Sequence, residues 1–215
     1  MDILLFGKPG SGKGTQAPRL AAALGAPTLA TGDVLRGAVR DGTPLGREAK
    51  AFMDRGDLVP DDVILGVVRE ALGGPAYAHG SILDGVVRTT PQAEGLGTVL
   101  GSLDRRVDAV VALDVRDEEI VRRMSRRTVC DSCQTPYADR EPGARCEKCG
   151  GTLVRRKDDE PEAVRNRLRV YQSQTAPVFE WYRSRGTPVL VVDAIGAVDD
   201  VTARALKALD GIGRA

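Results

Sequence analysis

Residues Gly7 to Thr15 read "GKPGSGKGT". Gly7, Gly10 and Gly12 free the backbone for turns that a side chain would block. The N–H groups of such a loop, together with the N-terminus of a following helix, converge on an anion. Lys13 adds a mobile positive charge suited to the β- and γ-phosphates of a nucleotide. The apolar "ILLF" at 3–6 lies directly before the loop and a helical pattern follows Thr15. That strand–loop–helix context separates a phosphate loop from a glycine-rich turn that happens to hold a lysine. A second cluster lies more than a hundred residues away. "CDSCQTPYADREPGARCEKC", from Cys130 to Cys149, holds all four cysteines as C-x2-C-x12-C-x2-C. Two such pairs make two turns that present four thiolates to one metal. Four protein ligands fill a tetrahedral shell and leave no place for water, so the site is expected to be structural.

Both clusters need elements to hold them. Five short apolar runs read as strands: 3–6, 27–30, 81–84, 109–115 and 188–193. Their lack of polar alternation is the mark of parallel strands covered on both faces. Amphipathic stretches such as "TQAPRLAAALG" and "DEEIVRRMSRR" lie between them, which predicts a parallel, doubly wound α/β sheet. Ligands then gather at the C-terminal ends of the strands. Residues 31–60 read as two short helices with no strand, and residues 128–158 as a turn-rich excursion carrying the cysteines.

The 215 residues carry a net charge of +1, with 42% hydrophobic and 28% charged residues. Nothing in that balance points to nucleic acid or an anionic membrane. No apolar run reaches membrane-span length and no leader pattern opens the chain, so a cytoplasmic protein is expected. Reduced thiols in that compartment favour metal ligation over the alternative of a disulfide.

Lys13 is followed by Gly14 and only then by Thr15. This ending resembles that of the nucleoside monophosphate kinases. The further segments "TGDVLRGAV", "GDLVPDDVI", "LDGVVRTTPQAE" and "RRKDDEPEAVRNRL", with the four cysteines, resemble the adenylate kinases of the long-lid, zinc-containing type. The resemblance implies a P-loop kinase core with a five-stranded parallel sheet (1–30, 61–127 and 159–215), a helical AMP-binding insertion (31–60) and a small zinc-bound lid (128–158). It implies reversible phosphoryl transfer from ATP to AMP, giving two ADP, with Mg2+ and one structural Zn2+ in a monomer. By the same resemblance Gly10, Ser11, Gly12, Lys13, Gly14, Thr15, Arg123, Arg127, Pro136, Tyr137 and Gly196 bind ATP. Thr31, Arg36, Asp57, Leu58, Val59, Gly85, Val86, Val87, Arg88, Gln92, Arg156 and Arg167 bind AMP. Lys13, Asp84, Arg88, Arg123, Arg156 and Arg167 form the catalytic set, with Asp84 near the magnesium waters. Cys130, Cys133, Cys146 and Cys149 hold the metal.

The physics suits the assignment, because joining two polyphosphates needs positioning and charge neutralisation more than covalent chemistry. A zinc lid would act as a stiff cover that excludes water. Asp158 and Asp159 read as orienting partners of the lid arginines. One departure stands out: after "LDG" the family usually has an aromatic residue and proline, where this chain has Val86-Val87. Arg88 is therefore expected to be less firmly pre-positioned. Two alternatives stay open: a kinase for another nucleoside monophosphate, and a non-catalytic nucleotide-sensing or zinc-ribbon interaction protein. Iron in place of zinc also stays open.

Overall fold

The computed structural model describes residues 1–212. The apolar runs become β1 (Asp2–Phe6), β2 (Thr28–Ala30), β3 (Ser81–Asp84), β4 (Ala109–Asp114) and, last in the chain, β8 (Val189–Asp193). They form one five-stranded sheet in the order β2-β3-β1-β4-β8, parallel throughout. From β1 the chain first crosses to the β3 side, then returns to β4, so the strand order reverses beside β1. Open α/β sheets bind ligands at such a reversal.

Side chains on β1 alternate between two cores. Leu4 and Phe6 pack with Leu83, Val110 and Ala112, while Ile3 and Leu5 pack with Ile82, Val111 and Leu113. Helices cover both faces, which explains the unbroken apolar runs. The edge strand β8 departs from this, since Val191 is 59% exposed.

The helices are α1 (Lys13–Leu24), α2 (Thr31–Arg40), α3 (Pro44–Arg55), α4 (Asp61–Leu72), α5 (Thr90–Gly101), α6 (Asp117–Arg126), α7 (Pro161–Val170), α8 (Val178–Arg183) and α9 (Val198–Leu209). Local chemistry sets several ends. The Thr43 hydroxyl caps α3 by accepting from Gly46 N–H, with Pro44 at the first turn, and the Thr89 hydroxyl caps α5 by accepting from Gln92 N–H. Three acids open α6, and Arg123 and Arg126 close it, matching the helix dipole. A wide π turn, Tyr171–Thr175, joins α7 toward α8. No described helix is long and apolar enough to cross a membrane.

The cysteine excursion holds more order than its turn-rich sequence suggests. β5 (Arg127–Cys130), β6 (Pro136–Ala138) and β7 (Leu153–Val154) form an antiparallel sheet in the order β6-β5-β7. These strands are too short to show a period of two. Their core is Cys130, Cys146 and Leu153, with Cys133, Tyr137 and Ala144 packed against it.

Candidate active site

The phosphate loop leaves β1 at Gly7, whose φ is 144°. A Cβ there would lie 2.5 Å from Ser11 Oγ and 2.7 Å from the Leu113 carbonyl oxygen. A Cβ on Gly10, at φ 79°, would meet Met124 Sδ at 2.8 Å. Both positions combine a left-handed backbone with close approach, and glycine meets both demands. Lys13 Nζ curls back to donate to the carbonyls of Gly7 (2.7 Å) and Lys8 (3.1 Å). Ser11 Oγ is buried without a hydrogen-bond partner among the described residues.

Above the loop lies a cavity of about 420 Å³, a size that suits a nucleotide. Its floor is the whole run from Gly10 to Thr15, and Gly196 stands on the wall. Pro136 and Tyr137 reach it from β6, and Arg123 and Arg127 from the end of α6 and the start of β5. Arg123 is braced three ways. Its Nε donates to Glu119 at 2.8 Å and its two terminal nitrogens to the carbonyls of Ser11 (3.3 Å) and Ala194 (2.8 Å). Arg127 forms a two-pronged pair with the buried Asp159, Nε donating to Oδ2 at 2.7 Å.

A smaller cleft of about 60 Å³ opens beside it. Thr31, Asp57, Leu58, Val59 and Gln92 line it. The Thr31 hydroxyl donates to the Gly85 carbonyl at 2.8 Å. The Asp57 carboxylate accepts from Arg55 at 2.9 Å and from Asn166 at 2.7 Å, and these bonds hold it below the usual carboxylate range. The Gln92 amide donates to Asp61 at 2.8 Å and accepts from Arg88 N–H at 2.7 Å. One amide N–H and one oxygen lone pair stay free for a base edge. Arg36, Gly85, Arg88 and Arg167 line both the large cleft and the small one. Val86 and Val87 do not share that wall. Val86 is fully buried in the core, and Val87, 3% exposed, faces a separate cavity of about 50 Å³.

Cations crowd where the clefts meet. Burial pushes Lys13 down to about 8; Asp84 pulls it up, but Arg88, Arg167 and Arg127 add to the fall. Burial and the neighbouring Arg167 push Arg88 down to about 10. Burial, then Arg36 and Arg127, push Arg156 down to about 9. Arg167 falls for the same first reason, although Asp158 opposes it. Asp84 is raised by burial against the pull of Lys13. Asp158 is disfavoured by burial, yet Arg167 and its neighbours outweigh that and hold it below the usual range. Asp158 and Asp159 pair with the arginines, Asp158 with Arg167 at 3.0 Å and Asp159 with Arg127. The site is a buried concentration of positive charge that a polyanion would relieve.

The match to known proteins is close and runs the length of the chain. The family model described as adenylate kinase matches residues 5–187. The adenylate kinase of Gemmatimonas aurantiaca is 59% identical over 97% of this chain and 99% of its own. That of Acidothermus cellulolyticus is 46% identical over 97% of this chain and 98% of its own. That of Archaeoglobus fulgidus is 44% identical over 93% and 92%. The chain belongs to the adenylate kinase family.

The four cysteines of this adenylate kinase family member are free of disulfides. Their sulfurs all lie within 4.8 Å of one another, Cys130 and Cys149 at 3.4 Å and Cys133 and Cys146 at 3.6 Å. A tetrahedron with metal–sulfur bonds of about 2.3 Å has edges of about 3.8 Å, so the cluster fits a thiolate metal centre. The Cys133 N–H points at Cys130 Sγ (3.4 Å), and the Thr135 and Tyr137 hydroxyls lie 3.1 and 3.2 Å from the sulfurs of Cys133 and Cys146.

Asp33, read from the sequence as part of the same site as Thr31 and Arg36, pairs with Arg36 and lies 3.9 Å from Arg156. Sequence reasoning passed over Gln134, whose Oε1 accepts from Arg156 at 3.4 Å. It also passed over Thr175, whose hydroxyl donates to the Arg88 carbonyl at 2.9 Å. A contact across 87 residues leaves no local mark in sequence.

Proposed function

We propose that this chain transfers the terminal phosphoryl group of ATP to AMP, reversibly, giving two ADP. The larger cleft takes ATP, and the smaller marks the base end of the AMP site, which must widen to admit AMP with its phosphate on the shared wall. The observation that carries the reading is the shared wall: Arg36, Arg88 and Arg167 face both clefts, with Lys13 beside them. Phosphoryl transfer between two bound nucleotides needs cations where the two phosphate chains meet. In this reading Lys13 leaves its carbonyl partners for the β- and γ-phosphates. Arg123 and Arg127 hold ATP phosphates. Arg36 and Arg88 hold the AMP phosphate, and Arg156 and Arg167 span the gap. Thr31, Leu58, Val59 and the free half of the Gln92 amide receive the adenine of AMP.

Magnesium bound with ATP supplies charge neutralisation at the β- and γ-phosphates. Asp84 fits its waters. The carboxylate sits 3.8 Å from where a Cβ on Gly14 would be, and has no hydrogen-bond partner of its own among the described residues. Zinc is the metal proposed for the four cysteines. It would stiffen residues 128–158 as a lid, since their small core cannot hold a flap rigid alone. A monomer is taken as the working unit, and four free thiols suit a reducing cytoplasm.

The test is a coupled assay of diphosphate formation from ATP with AMP, GMP, UMP and CMP in turn, with metal analysis of the same sample. AMP is expected to be the preferred acceptor by at least about tenfold in kcat/KM. Equal or better use of another monophosphate would favour the broader kinase reading, and no turnover with any would favour a non-catalytic nucleotide binder.

A further inference from the structure

Most of the cleft arginines are aimed by a side-chain partner. Arg36 pairs with Asp33, Arg123 with Glu119, Arg127 with Asp159, and Arg167 with Asp158, and Arg156 leans on Gln134 and Asp33. Arg88 differs. Its guanidinium lies over Gly85, where a Cβ would come within 3.1 Å of it, and forms no ion pair among the described residues. A long side chain with a free head is aimed by its own main chain.

That main chain is pinned on both sides by side chains from different elements. The Arg88 N–H donates to Gln92 Oε1 at 2.7 Å, and Gln92 is itself held by Asp61 at 2.8 Å. The Arg88 carbonyl accepts from the Thr175 hydroxyl at 2.9 Å. Thr175 is 6% exposed and closes the π turn that continues α7. Such widened turns are rare and cluster at functional sites. Arg167 sits on α7 itself. One helical run therefore presents the Arg167 guanidinium and grips the backbone of Arg88.

Packing alone does not enforce this grip. The cavity of about 50 Å³ lined by Val87, Arg88, Arg167 and Thr175 leaves the peptide room to move, and Val87 brings no ring to restrict it. Thr175 lines neither the large cleft nor the small one, so it does not touch a nucleotide there.

We propose that Thr175 is a positioning residue: its hydroxyl fixes the Arg88 backbone and so holds the Arg88 guanidinium in register with Arg167 at the AMP phosphate. This rests on the ATP–AMP reading above. Without the hydroxyl, the partly buried carbonyl loses its partner and the peptide relaxes into the adjoining cavity.

Three variants test it. Thr175→Val keeps the shape and removes the donor, Thr175→Ala removes the donor without risk of overpacking, and Thr175→Ser keeps the donor. Initial rates are measured with AMP varied at saturating ATP, and with ATP varied at saturating AMP. The Val and Ala variants are expected to lose about five- to tenfold in kcat/KM for AMP, the effect of one buried hydrogen bond. Their KM for ATP should stay within about twofold of the parent, and Ser should restore AMP use. Parental AMP kinetics in both donor-less variants would overturn the positioning role, as would KM for ATP rising in step or Ser failing like Val. Those outcomes arise with an active parent and leave the phosphotransferase reading standing. A parent that makes no ADP from ATP and AMP would overturn that reading and the positioning role with it.

Discussion

Gly46 and Gly66 sit inside helices, and the same change to alanine should act in opposite directions at the two sites. Gly46 lies in the first turn of α3 where that helix crosses α2, and it is buried. A Cβ there would stand 2.0 Å from the Ala38 carbonyl oxygen and 2.5 Å from Val39 N. The obstacle is backbone, so no rotamer change relieves it, and the helices must part by about 1 Å or more. Overpacking of this kind costs about 1–3 kcal/mol, and a backbone clash belongs at the upper end. At about 3 kcal/mol, Tm falls by about 6–12 °C for a chain of this size. The α2–α3 pair carries Thr31 and Arg36 and leads into Leu58 and Val59. If half of that cost is felt in the small cleft, KM for AMP rises about tenfold while KM for ATP stays near the parent value. Gly66, exposed in α4, has nothing within 4 Å of its Cβ position. Gly66→Ala should therefore stabilise by about 0.5–1 kcal/mol by restricting the unfolded chain. Thermal melts and steady-state rates on both variants decide the matter. A Gly46→Ala protein with parental Tm and AMP kinetics, or two variants that shift the same way, would refute the close-approach reasoning.

Replacing any two of Cys130, Cys133, Cys146 and Cys149 by Ser should release one zinc per chain and melt the β5–β7 sheet, leaving the parallel sheet intact. A metal-free parent with four free thiols and full activity would contradict this. Lys13→Ala should lower turnover at least about tenfold in a protein that still melts cooperatively, since the charge acts at the developing phosphate and not in the loop's fold. The pH profile gives a separate check. Free Lys13 loses its proton as pH rises through about 8, so kcat/KM for ATP should fall above that pH, while kcat at saturation, where bound phosphate restores the proton, should hold further. For stability the sign is opposite. The unfolded lysine keeps its proton to 10.5 and the folded one only to about 8. Between those values the unfolded chain binds more protons, and this residue adds stability as pH rises. Urea titrations of the parent and Lys13→Met across that window should show the parent gaining stability relative to the variant as pH rises.

The sheet was legible because both faces of its central strands are covered, and five nearly all-apolar runs need no partner to be recognised. β1, β3 and β4 fall within a residue or so of those runs. The phosphate loop was legible because its residues are contiguous and each has one conformational task. The β5–β7 sheet was hidden, since strands of two to four residues carry no period and the cysteines dominate the composition there. Arg88 shows the deeper limit. Val86-Val87 suggested a loosely held arginine, because sequence displays only the neighbours that restrain φ. The restraints on its flanking peptides come from Gln92 and from Thr175, and the second is visible only once α7 and its π turn have folded back onto the segment that follows β3.

The charge distribution also bears on why the two clefts should close together. The structure brings the cysteine segment against α2, with Arg40 reaching the carbonyls of Asp131 and Ser132 at 3.4 Å and Arg156 lying 3.9 Å from Asp33. Yet this arrangement, which we take as the closed one, gathers Lys13, Arg88, Arg156 and Arg167 into a space where burial and mutual repulsion lower their affinity for protons. Without phosphates this arrangement works against itself, and Asp158 and Asp159 offset only part of it. Each bound nucleotide brings negative charge to the same wall, so each lowers the cost of closure for the other. By linkage, ATP should tighten AMP binding and AMP should tighten ATP binding by the same factor. A typical coupling of 1–3 kcal/mol corresponds to about 5–150-fold. A non-transferable ATP analogue makes this measurable by calorimetry. Addition of the analogue should tighten AMP by the factor that AMP tightens the analogue, and Arg88→Ala or Arg167→Ala should reduce both factors together. Independent binding of the two ligands would mean that the shared arginines serve each cleft separately, and the electrostatic account of closure would fail.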